Sequence, residues 1–388
     1  MQHPTASGLP PAPFDWLPRT RVVFGPGSLG KVGVLASEFG ARRALLVTDK
    51  GVAAAGHVER ARAALEADGV SVTLYDGVRE NPDTGDVRRC LEAAKVAKVD
   101  LFVGLGGGSS IDTAKGSNLL LTNGGEMKDY WGVGKATKPL LPLIAIPTTA
   151  GTGSECQSAA LIADEVTHQK MACLDPKISA RIALLDPELT ISQPARVQSC
   201  TGIDALSHAV ETAVTTRRTT LSAMFSHESF RLCFDALPRV LANPADLDAR
   251  GRMQLGAAFA GAAIEASMLG AAHSAANPLT ARYGVPHGQA VGVVLPAIVR
   301  FNAGEHTAEA RYGELCRAAG LPDAEALAQA LEKILRLTGL AAPLRSFGVN
   351  EAVIPALAEE ASQQWTAAFN PRKITPADFA KIYESVLG

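Results

Sequence analysis

In the first half of the chain, short apolar runs alternate with stretches whose apolar residues recur at helical spacing. Ala44–Thr48 (ALLVT) is rich in β-formers, and a helical pattern over Val58–Leu65 follows it. Ser71–Tyr75 alternates as a strand does, and Asp86–Ala97 is periodic as a helix is. Asp100–Leu105 is again strand-like and leads through a glycine run into a helix from Ser110 to about Leu121. Leu141–Ile146 is a further buried strand, ended by Pro147. Such alternation predicts a parallel sheet covered by helices on both faces. After about Pro194 the character changes. Apolar residues recur at helical spacing through Ala205–Thr215, Ala223–Leu237, Arg252–Ala272 and Ala324–Leu337, with little strand signal. The expected organisation is an α/β nucleotide-binding domain over residues 1–193 and an all-α domain over 194–388, joined near Asp186–Pro194.

Composition narrows the class. The 388 residues are 47% hydrophobic, ample for a sizeable core. Charge is nearly balanced, with 37 Lys+Arg against 39 Asp+Glu. A duplex-binding protein needs a cationic face to displace counterions, and no basic run is present, so nucleic acid is not an expected partner. The six cysteines (Cys90, Cys156, Cys173, Cys200, Cys233, Cys316) are widely spaced and read as reduced small hydrophobes. Met1–Pro13 is Pro-rich, without the basic and apolar regions of a signal peptide. Leu255–Ala272 is the most membrane-like stretch, but Glu265 interrupts it and Gly and Ala fill most of it. It reads as an interior helix whose small side chains let neighbouring backbones approach. A soluble, cytoplasmic protein with no membrane partner is the expectation.

Several residues could carry chemistry. Gly104-Leu105-Gly106-Gly107-Gly108-Ser109-Ser110 lies directly after a strand and before a helix. Glycines there permit close backbone approach, and a helix N-terminus offers unpaired N–H groups to a phosphate. The same run also reads as a flexible loop, with Ser109-x-x-Asp112 as a capping box. Its place after a late strand does not match the usual dinucleotide fingerprint. Asp49 ends the strand ALLVTD, where a carboxylate can bind ribose hydroxyls or simply start a turn. Asn81-Pro82 is a turn signal first and a ligand contact second. Pro147–Glu155 (PTTAGTGSE) has more small hydroxyl and glycine positions than a turn requires, which suggests a polar nucleotide pocket. In the helical half, Asp204 and His208 share one helix face among apolar neighbours. His273 ends the long Gly/Ala-rich helix, and His287 follows the turn Gly284-Val285-Pro286. Each alone reads as a hydrogen-bonded core residue. Together, three imidazoles and a carboxylate make a site for a divalent transition metal, Fe²⁺ or Zn²⁺. His3, His57, His168, His227 and His306 are read as structural.

These motifs combine. VVFGPGSL at Val22–Leu29, GGGSSIDTAK at Gly106–Lys115 and PTTAGTGSE resemble the iron-containing (group III) alcohol dehydrogenase family. DALSHAVE at Asp204–Glu211, HSAANPLTARYGVPHG at His273–Gly288 and NPRKIT at Asn370–Thr375 extend the resemblance over nearly the whole chain. It implies a dinucleotide-binding α/β domain, a helical metal domain of dehydroquinate synthase-like architecture, and a cleft between them. It further implies that Asp204, His208, His273 and His287 bind the metal, Fe²⁺ before Zn²⁺. By the same resemblance Gly107, Gly108 and Ser109 meet the pyrophosphate and Asp49 meets the ribose, favouring NAD over NADP. Asn81, Thr148, Thr149, Thr152 and Lys170 are the further cofactor contacts it implies. Many relatives carry a second histidine one turn after the third ligand. Here that residue is Asn277, which, standing before Pro278, reads first as closing the helix on local backbone and second as orienting substrate or water, since an amide cannot titrate.

The implied reaction is hydride transfer between nicotinamide and a small alcohol or aldehyde, in a homo-oligomer, a dimer. One rival reading is a metal- and NAD-using synthase, lyase or polyol-phosphate dehydrogenase of the same architecture. Its anionic substrate would need cations in the cleft, for which Arg217, Arg218 and Arg282 are the candidates. A remote rival is a non-catalytic nucleotide-binding protein with a structural metal. Asp129–Gly134 and Gly256–Leu269 are the expected shapers of the substrate pocket.

Overall fold

The computed structural model describes residues 13–167 and 169–388, so the readings at Met1–Ala12, His3 among them, and at His168 lie outside it. β1 (Arg21–Phe24) leads to α1 (Val32–Ser37), β2 (Arg43–Val47), α2 (Lys50–Ala54), α3 (His57–Ala67) and β3 (Ser71–Tyr75). Next come α4 (Thr84–Ala97), β4 (Leu101–Gly106), α5 (Gly108–Asn123), β5 (Gly132–Val133) and β6 (Leu143–Pro147). β7 (Ala159–Ala163), β8 (Lys170–Leu174) and β9 (Ile182–Leu185) end the first half. Six strands form one parallel sheet in the order β1-β9-β6-β4-β2-β3. β5, β8 and β7 make a separate small sheet, with β7 and β8 antiparallel.

The strands read as unbroken apolar runs because both faces of the large sheet are covered. Ala44 and Leu46 of β2 face the side packed by Val58 and Leu65 of α3. Leu45 and Val47 face the other side, with Cys90 and Ala94 of α4. Apolar runs do not reveal β1, β9 or the small sheet as readily. β1 is an edge strand with mostly exposed side chains, and β9 is only four residues long.

The second half is helical. α6 (Ala195–Val214), α7 (Thr220–Ala242), α8 (Leu247–Glu265), α9 (Ala271–Tyr283) and α10 (His287–Ala303) come first. α11 (His306–Ala318), α12 (Ala324–Leu337), α13 (Ile354–Ser362) and α14 (Pro376–Ser385) complete it around one core. The stretch Arg252–Ala272 is not the single helix that its spacing suggests. It stops at Glu265 and restarts at Ala271, so His273 stands in the first turn of α9 rather than at a helix end. The break, Ala266–Gly270, reads Ala-Ser-Met-Leu-Gly and holds no proline, so apolar spacing runs through it unmarked. Pro278 lies inside α9, and the helix runs on to Tyr283, so Asn277 is mid-helix. The helix gives up only the bond from residue 278 to the Ser274 carbonyl, while buried neighbours hold the path.

Helix α8 joins the halves. A Cβ added at Gly261 would stand 2.3 Å from the Gly153 carbonyl oxygen, and Gly153 itself has φ +63°. Only glycine at both places permits that approach. Gln254 donates to the Pro147 carbonyl (3.0 Å), and Glu265 accepts from the Ser158 amide (2.8 Å). The Arg250 guanidinium, buried, donates to the Thr190 carbonyl and to Gln198 (2.9 Å for the latter). Among the described residues no helix is long and apolar enough to cross a membrane.

A second buried charge organises the loop after β6. Lys115 Nζ donates to the carbonyls of Ser154 (2.7 Å), Gln157 (2.8 Å) and Ala159 (2.8 Å). Asp112 accepts from Ser154 Oγ (2.6 Å) and the Leu161 amide (3.1 Å). Beside them Glu155 is buried, and loss of water pushes its carboxyl up to about 7, against the pull of its own backbone amide and of Lys115. From its unfolded value of 4.5 up to about 7, the folded chain therefore holds more protons on this group than the unfolded one. Its contribution to stability falls as pH rises through that window. Glu155→Gln removes the ionisation, so the variant should gain about 2 kcal/mol on wild type between pH 5 and pH 8. Denaturant unfolding at the two pH values measures this, and a pH-independent difference would remove Glu155 from the titrating groups.

Candidate metal centre and nucleotide cleft

β3 pairs on one side of β2 and β4 on the other, so the chain changes direction between β2 and β4. Open parallel sheets bind ligands at such a point, beyond the carboxyl ends of the strands. Asp49 and the glycine run flank it. Asp49 Oδ1 accepts from the Val52 amide (3.0 Å) and caps α2. Its other oxygen stands 3.5 Å from where a Cβ at Gly106 would lie, facing the glycine run. Asp49 thus fills the turn role while its second oxygen remains turned toward the glycine run.

Helix α5 begins at Gly108 with Gly107 as its N-cap and no side-chain cap. The capping box Ser109-x-x-Asp112 is not formed, because Ser154 and Leu161 occupy the Asp112 carboxylate. The α5 N-terminus instead faces the loop after β6. A Cβ at Gly108 would sit 2.9 Å from the Thr152 side chain, and one at Gly107 would sit 3.5 Å from Thr149. Gly106 pairs with Pro147 across β4 and β6, which brings Gly107, Gly108 and Ser109 to the same end as Thr148, Thr149 and Thr152. Asn81 is exposed with φ 52° in the turn after β3, as its turn signal predicts. Lys170 opens β8 as an exposed residue, yet loss of water around its ammonium lowers its pKa, against the pull of Asp112 and Asp204.

On the helical side, Asp204 and His208 come from α6, His273 from α9 and His287 from the first residue of α10. Their donors meet at one atom. Asp204 Oδ1 lies 3.4 Å from His208 Nε2, 3.5 Å from His273 Nε2 and 3.8 Å from His287 Nε2. Asp204, His208 and His273 are buried, and Asp204 Oδ1 and His273 Nε2 have no hydrogen-bond partner. Buried polar atoms without partners are expensive. Asp204, His208 and His273 offer donors within 4.8 Å of one another, a set that suits a divalent metal, and His287 Nε2 stands beside it, 3.8 Å from Asp204. The backbone of Gly151, in the loop after β6, lies against the His208 ring, so the cluster adjoins the nucleotide cleft.

Electrostatics agree with that use. Burial opposes the Asp204 charge, but the imidazoles of His208, His287 and His273 outweigh it and hold the carboxyl well below the usual range. Burial lowers His208, and lowers His287 to about 3, against the pull of Asp204 on both. His273 differs. Burial disfavours its charge too, but Glu211 and Asp204 raise it to about 9. Glu211 Oε2 accepts from His273 Nδ1, and its Oε1 accepts from the Ala272 amide (2.7 Å). A carboxylate behind a ligating imidazole fixes its tautomer and raises its basicity. Glu211 is not among the residues that the sequence singles out, although it stands three residues after His208 on the same helix face and DALSHAVE contains it.

Asn277 does not close α9. Its Nδ2 donates to Gln364 Oε1 (3.0 Å), a partner far off in the chain. His57 bonds Ser192 (2.7 Å) and His227 is half-buried, both away from the cluster. Arg218 pairs with Glu314 and Arg282 with Glu360, while Arg217 lies over the Phe369 ring. These arginines are therefore engaged by the protein itself.

The sequence matches the family described as iron-containing alcohol dehydrogenase over residues 18–187, and its C-terminal counterpart over 198–387. Alcohol dehydrogenase 4 of Schizosaccharomyces pombe is 35% identical over 385 residues, covering 99% of this chain and 91% of that protein. The NAD-dependent methanol dehydrogenase of Bacillus methanolicus is 35% identical, covering 94% of this chain and 97% of its own. A crystal structure of 1,3-propanediol oxidoreductase superposes with a TM-score of 0.93 at 31% identity, over 97% of this chain and 100% of that one.

A metal bound at His273 Nε2 must displace the imidazolium proton from that atom, while Glu211 keeps the proton on Nδ1. Zinc affinity should therefore weaken about tenfold per pH unit below pH 8, as read by chelator competition. Glu211→Gln should weaken binding about 10- to 100-fold and flatten that dependence. A pH-independent affinity in wild type would separate His273 from the metal.

Proposed function

The chain belongs to the iron-containing alcohol dehydrogenase family, and from that premise we propose that it interconverts small alcohols and aldehydes using NAD(H) and a divalent metal, iron before zinc. It is an oxidoreductase acting on CH–OH groups, as its relatives are. The observation that carries the reading is the convergence of three imidazole Nε2 atoms on Asp204 Oδ1 beside the cleft. Bound there, a divalent cation supplies Lewis acidity that acidifies an alcohol or polarises a carbonyl, and the nicotinamide supplies the hydride carrier.

Asp204, His208, His273 and His287 would hold the cation, with Glu211 orienting His273. The α5 N-terminus at Gly107, Gly108 and Ser109 would take the pyrophosphate on its N–H groups. Asp49 would bind the ribose and repel a 2′-phosphate. Thr148, Thr149 and Thr152 would be further cofactor contacts, with Lys170 and Asn81, which the pairing of Ala163 with Pro82 and Lys170 brings to one place. Asn277, tied to Gln364, would orient substrate or water without exchanging a proton. The helices and the loop after β6 would exclude water and keep the reacting carbon within about 3–3.5 Å of the ring. The engaged Arg218 and Arg282 favour a neutral alcohol over the anionic substrate of a synthase or polyol-phosphate dehydrogenase.

A homodimer fits the apolar side chains left exposed along the edge, Phe14, Trp16, Leu17, Val22 and Phe24. A cytoplasmic location fits six free cysteines. The balanced charge favours neither a nucleic acid nor a membrane as partner.

Protein reconstituted separately with Fe²⁺ and Zn²⁺ should form NADH from members of a small-alcohol panel. His273→Ala should abolish turnover and most metal content with the fold retained, while His227→Ala should keep its metal. Absence of NADH with every alcohol and both metals would leave the non-catalytic binding reading. Wild type should prefer NAD, and Asp49→Gly should improve NADP use at least several-fold. Equal wild-type efficiency with the two cofactors would overturn the assignment of Asp49.

A further inference from the structure

The NPRKIT motif at Asn370–Thr375 lies outside the cluster, yet the residues around its start touch every helix that carries a candidate ligand. α6 holds Asp204 and His208, and at its end Thr216 N (2.9 Å) and Thr215 Oγ1 (3.1 Å) donate to the Phe369 carbonyl. α9 holds His273, and its Ala271 amide donates to Asn370 Oδ1 (3.3 Å). α10 begins with His287 and carries Asn302 near its far end. Asn302 and Asn370 exchange two amide bonds, Asn370 Nδ2 to Asn302 Oδ1 (2.6 Å) and Asn302 Nδ2 to Asn370 Oδ1 (3.1 Å). Asn370 Nδ2 also donates to the Arg372 carbonyl (2.7 Å), and Arg372 donates to the Phe301 carbonyl (2.6 Å) and lies over the Phe301 ring. Asn370 and Asn302 are both buried.

The start of α9 needs such help. Its N-cap is Gly270, which offers no side-chain cap. The first helical N–H groups are instead satisfied from elsewhere, Ala271 by Asn370 and Ala272 by Glu211. A Cβ at position 270 would stand 3.2 Å from both Asn370 Oδ1 and Glu211 Oε1, so the glycine leaves room for two borrowed caps. His273 comes directly after Ala272, and a shift of this helix start moves its Nε2 against Asp204 directly.

We infer that Asn370 is a positioning residue for the metal centre: with the Phe369 carbonyl it holds α6, α9 and α10 in the relative register that brings their four donors together. This rests on the metal reading above. It acts through the backbone of Ala271 and through Asn302 and touches neither metal nor substrate.

The test measures Zn²⁺ affinity of apoprotein by chelator competition, alongside far-UV circular dichroism and thermal unfolding of the apoprotein. Asn370→Leu should weaken Zn²⁺ binding about 10- to 100-fold with native secondary structure. Asn370→Asp keeps an acceptor for Ala271 but loses the donor to Asn302 and Arg372, and should fall between wild type and the leucine variant. Asn350→Ala, in an exposed loop, should bind as wild type does. If Asn370→Leu does not fold, Asn302→Ser is measured in its place with the same expectation. Wild-type affinity in a folded Asn370 or Asn302 variant that has lost only thermal stability overturns the inference. Failure of wild type itself to take up Zn²⁺ or Fe²⁺ would instead overturn the metal reading.

Discussion

The second half of the molecule is arranged around a buried carboxylate. Asp204 stands on α6 with Oδ1 unpartnered and three imidazoles aimed at it. A lone ionised carboxylate in an apolar helix bundle is strongly disfavoured by the loss of water. The neighbouring imidazoles reverse that penalty and keep it charged. Further out, the surrounding groups support the imidazoles: Glu211 behind His273, the Ala271 and Ala272 amides capped by Asn370 and Glu211, and the Phe369 carbonyl tying the end of α6. Each layer has a polar group buried beyond reach of water, and each finds its partner in the next.

A metal site becomes a reaction site only if a second reactant can be held against it, and small residues make that possible here. Gly153 against Gly261 lets the loop after β6 reach α8, and Gly151 in the same loop meets the His208 ring. Thr149 and Thr152 of the same loop pack on Gly107 and Gly108 at the start of α5. One loop therefore spans from the N-terminus of α5 to the imidazoles. Lys115 and Asp112 hold it from beneath through Ser154. Larger side chains at these glycines would separate the two halves of the reaction by the width of a methyl group or more, a distance that matters when hydride is transferred over about 3 Å.

The sheet's core strands, half of the described helices and the four residues gathered around Asp204 Oδ1 were legible in the chain itself. Parallel strands buried on both faces must be continuously apolar, and a helix face with Asp204 and His208 one turn apart needs no tertiary knowledge to be noticed. Local pattern failed where the decisive forces are not local. An exposed edge strand such as β1 has only the short run Val22–Phe24, and the break between α8 and α9, Ala266–Gly270, holds no proline to mark it. Ser109 and Asp112 have the spacing of a capping box, but Ser154, distant in sequence, takes the carboxylate. Asn277 precedes a proline and would ordinarily end a helix, yet packing carries α9 past it.

The kind of chemistry is thus written along the chain: donor types at helical spacing, glycines between strand and helix, and motifs that together resemble one family. These are properties of neighbouring residues and survive without coordinates. Which groups serve those donors is settled by the fold alone. Glu211 against His273, Asn370 against Ala271 and Asn302, and Lys115 against Ser154 pair residues from separate elements. Buried polar atoms must be satisfied by whatever the fold brings within hydrogen-bond reach, and that proximity is set by packing across the whole chain rather than by spacing along it.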